Sequence, residues 1–172
     1  MKDATAYVCG LGFYEFSLNG EKVGDSEFAP LWSDYDKSVY YNTYDVTSQV
    51  KKGGNAIGVL LGNGFYNVQG GRYRKLQISF GAPTLRFRMV VNYEDGTCET
   101  IVSGKDWKYD FSPVLFNCIY GGEDYDARRE QKGWNMFGFK EQDWRPVVIQ
   151  EAPKGVLRPQ IAQPVKIMER YD

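Results

Sequence analysis

The sequence predicts a single all-β domain of 172 residues, built as a β-sandwich or a barrel. Aromatic residues make up 16% of the chain, and aromatic and β-branched residues favour strands. Turn-forming residues recur at intervals of about 8–12 residues, which is typical of sandwiches and barrels. No apolar pattern is long enough for more than a turn or two of helix. These observations together predict roughly nine or ten short strands.

The first half of the chain begins with a predicted hairpin. The alternating run Gly12–Leu18 indicates a strand, and the Asn19-Gly20 pair that follows is the strongest short signal for a tight turn. Ser38–Val46, rich in Tyr, Val and Thr, predicts another strand. A short helical turn is expected in Asp45–Gly54, where a capping residue begins it and a glycine pair ends it. The apolar run Asn55–Gly62 has the length of a buried strand.

The second half of the chain begins with a long predicted loop, residues 62–82, rich in glycine, asparagine and aromatic residues. Thr84–Tyr93 alternates between apolar residues and arginines, and a turn then leads to a returning strand at 98–102. Pro113–Tyr120 has the apolar character of a buried strand. Late strands are expected within 145–150 and 162–171. The proline-spaced tail 153–172 is expected to lead towards a next domain.

The composition excludes several classes of protein. The net charge of -1 provides no basic surface for nucleic acid, and no apolar run approaches the roughly 18 residues that span a bilayer. The chain contains no histidine, which excludes Ser-His-Asp and Cys-His catalysis and histidine-ligated zinc. Cys9, Cys98 and Cys118 form no CxxC pair, so we expect small buried hydrophobic residues rather than a disulfide and a free thiol.

A cluster of charges lies in the segment Tyr120–Trp134, YGGEDYDARREQKGW. Glu123 and Asp126 have the residue types of a glycosidase pair, but residues three apart on a strand point to opposite faces. Asp124 and Asp126 would share a face, about 7 Å apart, and Arg128 would join them. Three interpretations stay open: a salt-bridged corner of the fold, a ligand or interface site, and a catalytic pair. The first is favoured.

The Gly-Asn-Gly loop within Leu60–Asn67 is a second candidate site. The side-chain amides of Asn63 and Asn67 suit vicinal sugar hydroxyls, because an amide can donate and accept at once. Phe65 or Tyr66 could offer a ring face to sugar C–H groups. The amide oxygens, with backbone carbonyls, could also join a calcium shell of 6–8 oxygens. The alternative is a plain hairpin loop with its aromatic residues turned inward.

The stretch 29–46 is a third feature, because it combines several aromatic residues, among them Trp32, with three aspartates. On the edge of a sandwich most of these side chains are expected to serve packing. The alternative is an aromatic binding face or a contact surface between domains.

Four motifs, in this order and spacing, resemble the non-catalytic β-sandwich domain found toward the N-terminus of bacterial α-L-rhamnosidases. They are YVCGLGFYEFSLNGEKVGD, WSDYDKSVYYNTYDVT, NAIGVLLGNGFY, and GGEDYDARRE followed by GW. The resemblance covers about residues 6–150. A looser skeleton, LNGxxVG followed by YDVT, is shared with galactose-binding-like domains of other glycosidases. The resemblance therefore implies a jelly-roll β-sandwich, galactose-binding-domain-like.

The resemblance implies an accessory domain of an α-L-rhamnosidase-like glycoside hydrolase. Enzymes of that family carry their catalytic carboxylates in a separate (α/α)-barrel, so this chain alone is not expected to be an enzyme. The implied partners are L-rhamnose-containing glycans, bound weakly, and the neighbouring catalytic domain of the same polypeptide, which the domain would brace. The alternatives are an autonomous lectin-like carbohydrate-binding module and a purely structural interaction domain.

The resemblance also bears on the candidate site. Some family members hold L-rhamnose through a calcium ion. The resemblance therefore makes Asn19, Asn63 and Asp126 the residues to test for such binding. With the residues considered above, the candidate carbohydrate-binding set is Asn19, Asn63, Tyr66, Asn67, Glu123 and Asp126. Gly62 stands beside Asn63 where an aspartate would favour calcium, and this departure weakens the case for the ion.

Residues 1–172 are expected to form one domain excised from a larger enzyme. The opening MKDATAYVCG has neither the basic start nor the apolar stretch of a signal peptide. A periplasmic or extracellular parent protein is compatible with the family resemblance.

Overall fold

The computed structural model describes residues 1–70, 72 and 76–171. Its strands are β1 (Asp3–Leu11), β2 (Phe13–Leu18), β3 (Glu21–Lys22), β4 (Ser26–Glu27), β5 (Ser38–Asp45), β6 (Ile57–Gly62), β7 (Asn67–Val68), β8 (Ile78–Ser79), β9 (Thr84–Asn92), β10 (Cys98–Val102), β11 (Lys108–Tyr109), β12 (Val114–Cys118), β13 (Gly122–Tyr125), β14 (Arg145–Pro146), β15 (Val156–Pro159) and β16 (Val165–Lys166). One 3-10 helix, Ala127–Arg129, is the helical element of these residues. No helix in the described part of the chain is long and apolar enough to cross a membrane. The predicted all-β class is confirmed.

Two sheets pack face to face around one core. The larger sheet has the order β10-β9-β1-β5-β15, and the smaller has the order β3-β2-β6. Ala4, Ala6 and Val8 of the central strand β1 are fully buried and pack in one cluster with side chains of β2 and β9. Phe16 from one sheet meets Phe87 from the other, with ring centroids 5.4 Å apart. The predicted β-sandwich is therefore confirmed.

The local patterns explain the strands of this core. On β9, Phe87 and Met89 are buried while Arg86 and Arg88 are exposed, as the alternation predicts. The hairpin from β9 to β10 turns at Asp95, whose carboxylate accepts hydrogen bonds from the backbone N–H (3.0 Å) and hydroxyl (2.7 Å) of Thr97. The period-2 pattern thus fixes which face each strand buries.

The first hairpin also follows the prediction. Asn19 and Gly20 have φ values of 55° and 89°, the combination that a tight two-residue β-turn requires. β2 then pairs antiparallel with β6, from Phe13 opposite Gly62 to Leu18 opposite Ile57. This pair places the Asn19-Gly20 turn at one end of the small sheet and the Gly-Asn-Gly loop at the other.

The predicted buried strand at Pro113–Tyr120 is wrong in its burial. The strand exists as β12, but it pairs with β13 in a separate two-stranded hairpin. Leu115 on it is 52% exposed, because the second face of this hairpin lies outside the sandwich core. An apolar run alone does not reveal whether another layer covers a strand.

The prediction that all three cysteines are buried is wrong for one of them. Cys9 and Cys118 are buried, but Cys98 is exposed at the start of the edge strand β10. All three thiols are free. Burial raises the pKa of the Cys9 thiol to about 11, which makes Cys9 an inert packing residue at neutral pH.

Candidate functional site

The Gly-Asn-Gly loop packs directly against the bend between β1 and β2. A Cβ atom at Gly12, where φ is 107°, would lie 2.2 Å from the carbonyl oxygen of Gly62. A Cβ atom at Gly64, where φ is 50°, would lie 2.9 Å from the backbone nitrogen of Phe13. Glycine at both positions lets the two backbone segments touch. This contact sets the position of the loop and of the side chains on it.

An amide network ties the loop to two other segments. The backbone N–H of Asn63 donates to Oδ1 of Asn117 (2.8 Å), and Nδ2 of Asn63 donates to the Asn117 carbonyl (2.9 Å). Nδ2 of Asn67 donates to Oδ1 of Asn63 (2.8 Å), and the Ser79 hydroxyl donates to Oδ1 of Asn67 (2.8 Å). The predicted residues Asn63 and Asn67 are therefore together, but their amides are used within the protein.

Tyr66 and Asn67 lie inside the molecule. Their exposed fractions are 6% and 4%. The Tyr66 ring meets Tyr35 edge-on, with centroids 4.9 Å apart, and its hydroxyl donates to the carbonyl of Phe80 (3.2 Å). Burial raises the pKa of Tyr66. The structure thus turns Tyr66 inward, away from the surface that a sugar ring could reach.

Asn19 lies at the opposite end of the β2–β6 pair from Asn63. Its Nδ2 donates to the carbonyl of Gln49 (3.0 Å) and to Oδ1 of Asn55 (2.8 Å), and its Oδ1 accepts from the backbone N–H of Ala56 (2.9 Å). The structure does not bring Asn19 into one site with Asn63. Its side chain instead fastens the first hairpin to the loop before β6.

Asp126 caps the 3-10 helix. Its carboxylate accepts from the backbone N–H (3.2 Å), Nε (2.8 Å) and Nη2 (2.9 Å) of Arg128. These hydrogen bonds from Arg128 hold the pKa of Asp126 below its ordinary value. The predicted strand face shared by Asp124, Asp126 and Arg128 is wrong, because β13 ends at Tyr125. Asp124 is instead bound by Arg72, with Nη2 at 2.6 Å from Oδ2.

Glu123 lines a cleft between the small sheet and the β12–β13 hairpin. The cleft has a volume of about 490 Å³, within the range of small-molecule sites. The rings of Phe13 and Phe28 line the same cleft. At its edge, Lys22 forms ion pairs with Glu27 (2.7 Å) and with Glu15 (3.6 Å). Among the six predicted site residues, Glu123 is the one that this cleft contains.

Five aromatic residues form a continuous patch beside the cleft, which we call the aromatic surface. It consists of Phe13, Phe28, Trp32, Phe65 and Tyr120. Ring centroids are 5.5 Å apart for Trp32 and Phe65, 6.3 Å for Phe65 and Phe13, 5.5 Å for Phe13 and Phe28, and 6.1 Å for Phe65 and Tyr120. Trp32, Phe28 and Tyr120 are 62%, 59% and 48% exposed. Sequence reasoning pointed to Trp32 and Phe65 but missed Phe13 and Phe28.

The donor set around the Gly-Asn-Gly loop does not fit a calcium ion. Calcium takes 6–8 oxygens, several of them carboxylates. The amide oxygens of Asn63 and Asn67 each accept a hydrogen bond from a neighbouring side chain. Among the residues with described positions, no group of three or more His, Cys, Asp or Glu side chains could hold a metal ion.

The chain matches the family model "Alpha-L-rhamnosidase N-terminal domain" over residues 1–169. It is 44% identical to an alpha-L-rhamnosidase of Formosa agariphila over 146 residues. The matched region covers 83% of this chain and 15% of that protein. The solved structure of the alpha-L-rhamnosidase from Dictyoglumus thermophilum is 41% identical to this chain, with a TM-score of 0.89. The match covers 98% of this chain and 18% of that one.

A third relative is the alpha-L-rhamnosidase of Streptomyces avermitilis, whose crystal structure is a complex with L-rhamnose. The match covers 98% of this chain and 16% of the Streptomyces chain, with 37% identity and a TM-score of 0.88. The chain thus spans less than a fifth of the length of the relatives that it matches. On the evidence of the family model and of these relatives, the chain belongs to the family of α-L-rhamnosidase N-terminal domains.

Proposed function

We propose that this chain is an accessory domain that braces the remainder of an α-L-rhamnosidase-like glycoside hydrolase. The observation that carries the proposal is the aromatic surface. Relatives named alpha-L-rhamnosidase extend well beyond the matched domain, which covers 15% to 18% of them. In this proposal the partner of the aromatic surface is the neighbouring catalytic domain of the same polypeptide.

The aromatic surface has the properties of an interface. Proteins rarely leave contiguous apolar patches of this kind facing water, and aromatic residues are enriched at the centres of interfaces. Phe28 and Trp32 protrude, while Phe13 and Phe65 are half-buried and pack behind them. Because these neighbours hold the protruding rings in place, little side-chain entropy is lost when a partner covers them.

In this proposal the domain contributes no catalysis of its own. A glycosidase general acid needs a raised pKa, so that it is protonated at working pH. The pKa of Asp126 is lowered by its hydrogen bonds from Arg128, and Asp124 is paired with Arg72. Both carboxylates have the environment of structural ion pairs.

The test is the double variant Phe28→Ser, Trp32→Ser. The isolated domain is expected to keep its unfolding midpoint, because both side chains are mostly exposed. Its affinity for the separately expressed remainder of a rhamnosidase that carries it should fall at least about tenfold, as measured by calorimetric titration. The control is Val102→Ser, Phe111→Ser, which removes side chains that are 53% and 62% exposed outside the aromatic surface. Equal affinity for both variants would contradict the proposal.

Weak carbohydrate binding is a second candidate function, and the cleft at Glu123 favours it. A carboxylate in the same cleft as two phenylalanine rings can accept hydrogen bonds from sugar hydroxyls while the rings pack on C–H groups. The Streptomyces relative was crystallised with L-rhamnose, which makes that sugar the ligand to test. L-Rhamnose is expected to shift the NMR signals of the amides around the cleft, and the Glu123→Gln variant should show a smaller shift. Both results should be the same with and without a calcium chelator. No shift at saturating sugar would rule out this second function and leave bracing intact.

A further inference from the structure

The segment Gly155–Lys166, which we call the latch, is paired with two separate strands of the domain. Its first strand, β15, lies parallel to β5 at the edge of the large sheet, and its second, β16, lies antiparallel to β4. Backbone hydrogen bonds outside the strand ladder run from Gly155 N to Tyr35 O (3.1 Å), from Val156 N to Lys37 O (3.0 Å) and from Gln160 N to Tyr41 O (3.0 Å). The latch is therefore structured, although its proline spacing resembles that of a linker.

The latch is held by backbone contacts and not by burial. All residues of β15 and β16 are exposed, including Val156 at 59%, Leu157 at 41% and Val165 at 44%. The central strand β1 provides the contrast, since Ala6 and Val8 are 0% exposed. Segments with few buried apolar contacts open at a smaller free energy than the core.

Two side-chain ties fasten the latch, and both are near the surface. Oε1 of Gln160 accepts from the backbone N–H of Leu31 (2.9 Å), and Nζ of Lys166 forms an ion pair with Asp25 (2.8 Å). Exposed ion pairs of this kind contribute little to stability. At its beginning, Gly155 packs so closely on Tyr35 that a Cβ atom would lie 2.4 Å from the Tyr35 carbonyl oxygen.

We propose that the latch opens as one unit while the sandwich stays folded, and that its opening uncovers the edge of β5. The carbonyls of Tyr35 and Lys37, just before β5, and of Tyr41, within β5, then lose their partners. This inference concerns a conformational device of the domain and does not depend on the proposed bracing function.

Native-state hydrogen exchange, followed by NMR on the 172-residue chain, tests the proposal. The amides of Gly155, Val156 and Gln160 are expected to be measurably protected, but at least about tenfold less than the amides of β1. Protection equal to that of β1 would overturn the proposal, because the latch would then open only with the whole domain. Complete absence of protection would also overturn it, because no closed latch would then exist.

The variant Gly155→Ala separates the latch from the core. It is expected to remove the protection of the latch amides and to leave the β1 amides within about twofold of their original rates. The control is Gly104→Ala, where the added carbon meets only the side-chain carboxylate of Asp106, at 3.0 Å. The control should leave both sets of amides unchanged. If Gly155→Ala lowers the protection of β1 as much as that of the latch, the two are one cooperative unit and the proposal fails.

Discussion

Replacing Gly12 with alanine is expected to lower the free energy of unfolding by about 3 to 5 kcal/mol. The backbone φ of 107° disfavours any side chain, at a cost of about 1–2 kcal/mol. The added Cβ would also lie 2.2 Å from the Gly62 carbonyl oxygen and 3.1 Å from that of Asn63. These are backbone atoms, which cannot rotate away, and such overpacking costs about 1–3 kcal/mol or more. Urea denaturation followed by circular dichroism measures the loss.

Gly53→Ala is the matched control for this prediction. Gly53 also has a positive φ, 93°, but a Cβ atom there would meet nothing within 4 Å. The Gly53→Ala variant should lose only the conformational contribution to the free energy of unfolding, about 1–2 kcal/mol. Equal losses for Gly12→Ala and Gly53→Ala would mean that the contact between the β1–β2 bend and the Gly-Asn-Gly loop is not tight in solution.

Replacing Asn63 with alanine is expected to cost about 2–4 kcal/mol of stability, whether or not a sugar is present. The change removes the hydrogen bond from Nδ2 to the Asn117 carbonyl and leaves Nδ2 of the buried Asn67 without its acceptor. An unpaired buried donor costs more than an exposed one, because water cannot replace the lost partner. Thermal unfolding of the variant with and without L-rhamnose gives the comparison.

Asn135→Ala serves as the control for the asparagine prediction. It removes a single side-chain hydrogen bond, from Nδ2 to the hydroxyl of Ser17 (3.0 Å), so it should cost about 1 kcal/mol. An Asn63→Ala variant that unfolds like the wild type but no longer binds L-rhamnose would assign Asn63 to ligand binding and not to the fold.

The fold was accessible from the sequence because its main signals are local. The Asn19-Gly20 turn and the alternation of β9 each depend on residues that are neighbours in the chain. The burial of β12 depends on a distant feature, namely whether a second layer covers Leu115. The end of β13 at Tyr125 was missed although its signal is local, since Asp126 caps the 3-10 helix that begins at Ala127.

The site was less accessible, because the roles of its residues depend on long-range partners. Asn63 is hydrogen-bonded to the nearby Asn67, but its other partner, Asn117, lies 54 residues away in the chain. In the sequence, the Gly-Asn-Gly motif predicts side-chain amides that are free to bind a ligand. In the fold, these amides are hydrogen-bonded within the protein. The aromatic surface likewise combines residues from four separate segments of the chain, namely β2, the β4–β5 connection, the loop after β6 and the β12–β13 turn. Only the folded chain shows that these rings are neighbours.

The most direct test of the bracing function is scanning calorimetry of a full-length α-L-rhamnosidase that carries this domain. If the aromatic surface is covered by the rest of the enzyme, the domain should unfold at least about 3 °C higher in the full-length protein than alone. The variant Phe28→Ser, Trp32→Ser should abolish this difference without changing the midpoint of the isolated domain. An identical unfolding temperature for the domain alone and within the full-length enzyme would contradict the bracing function.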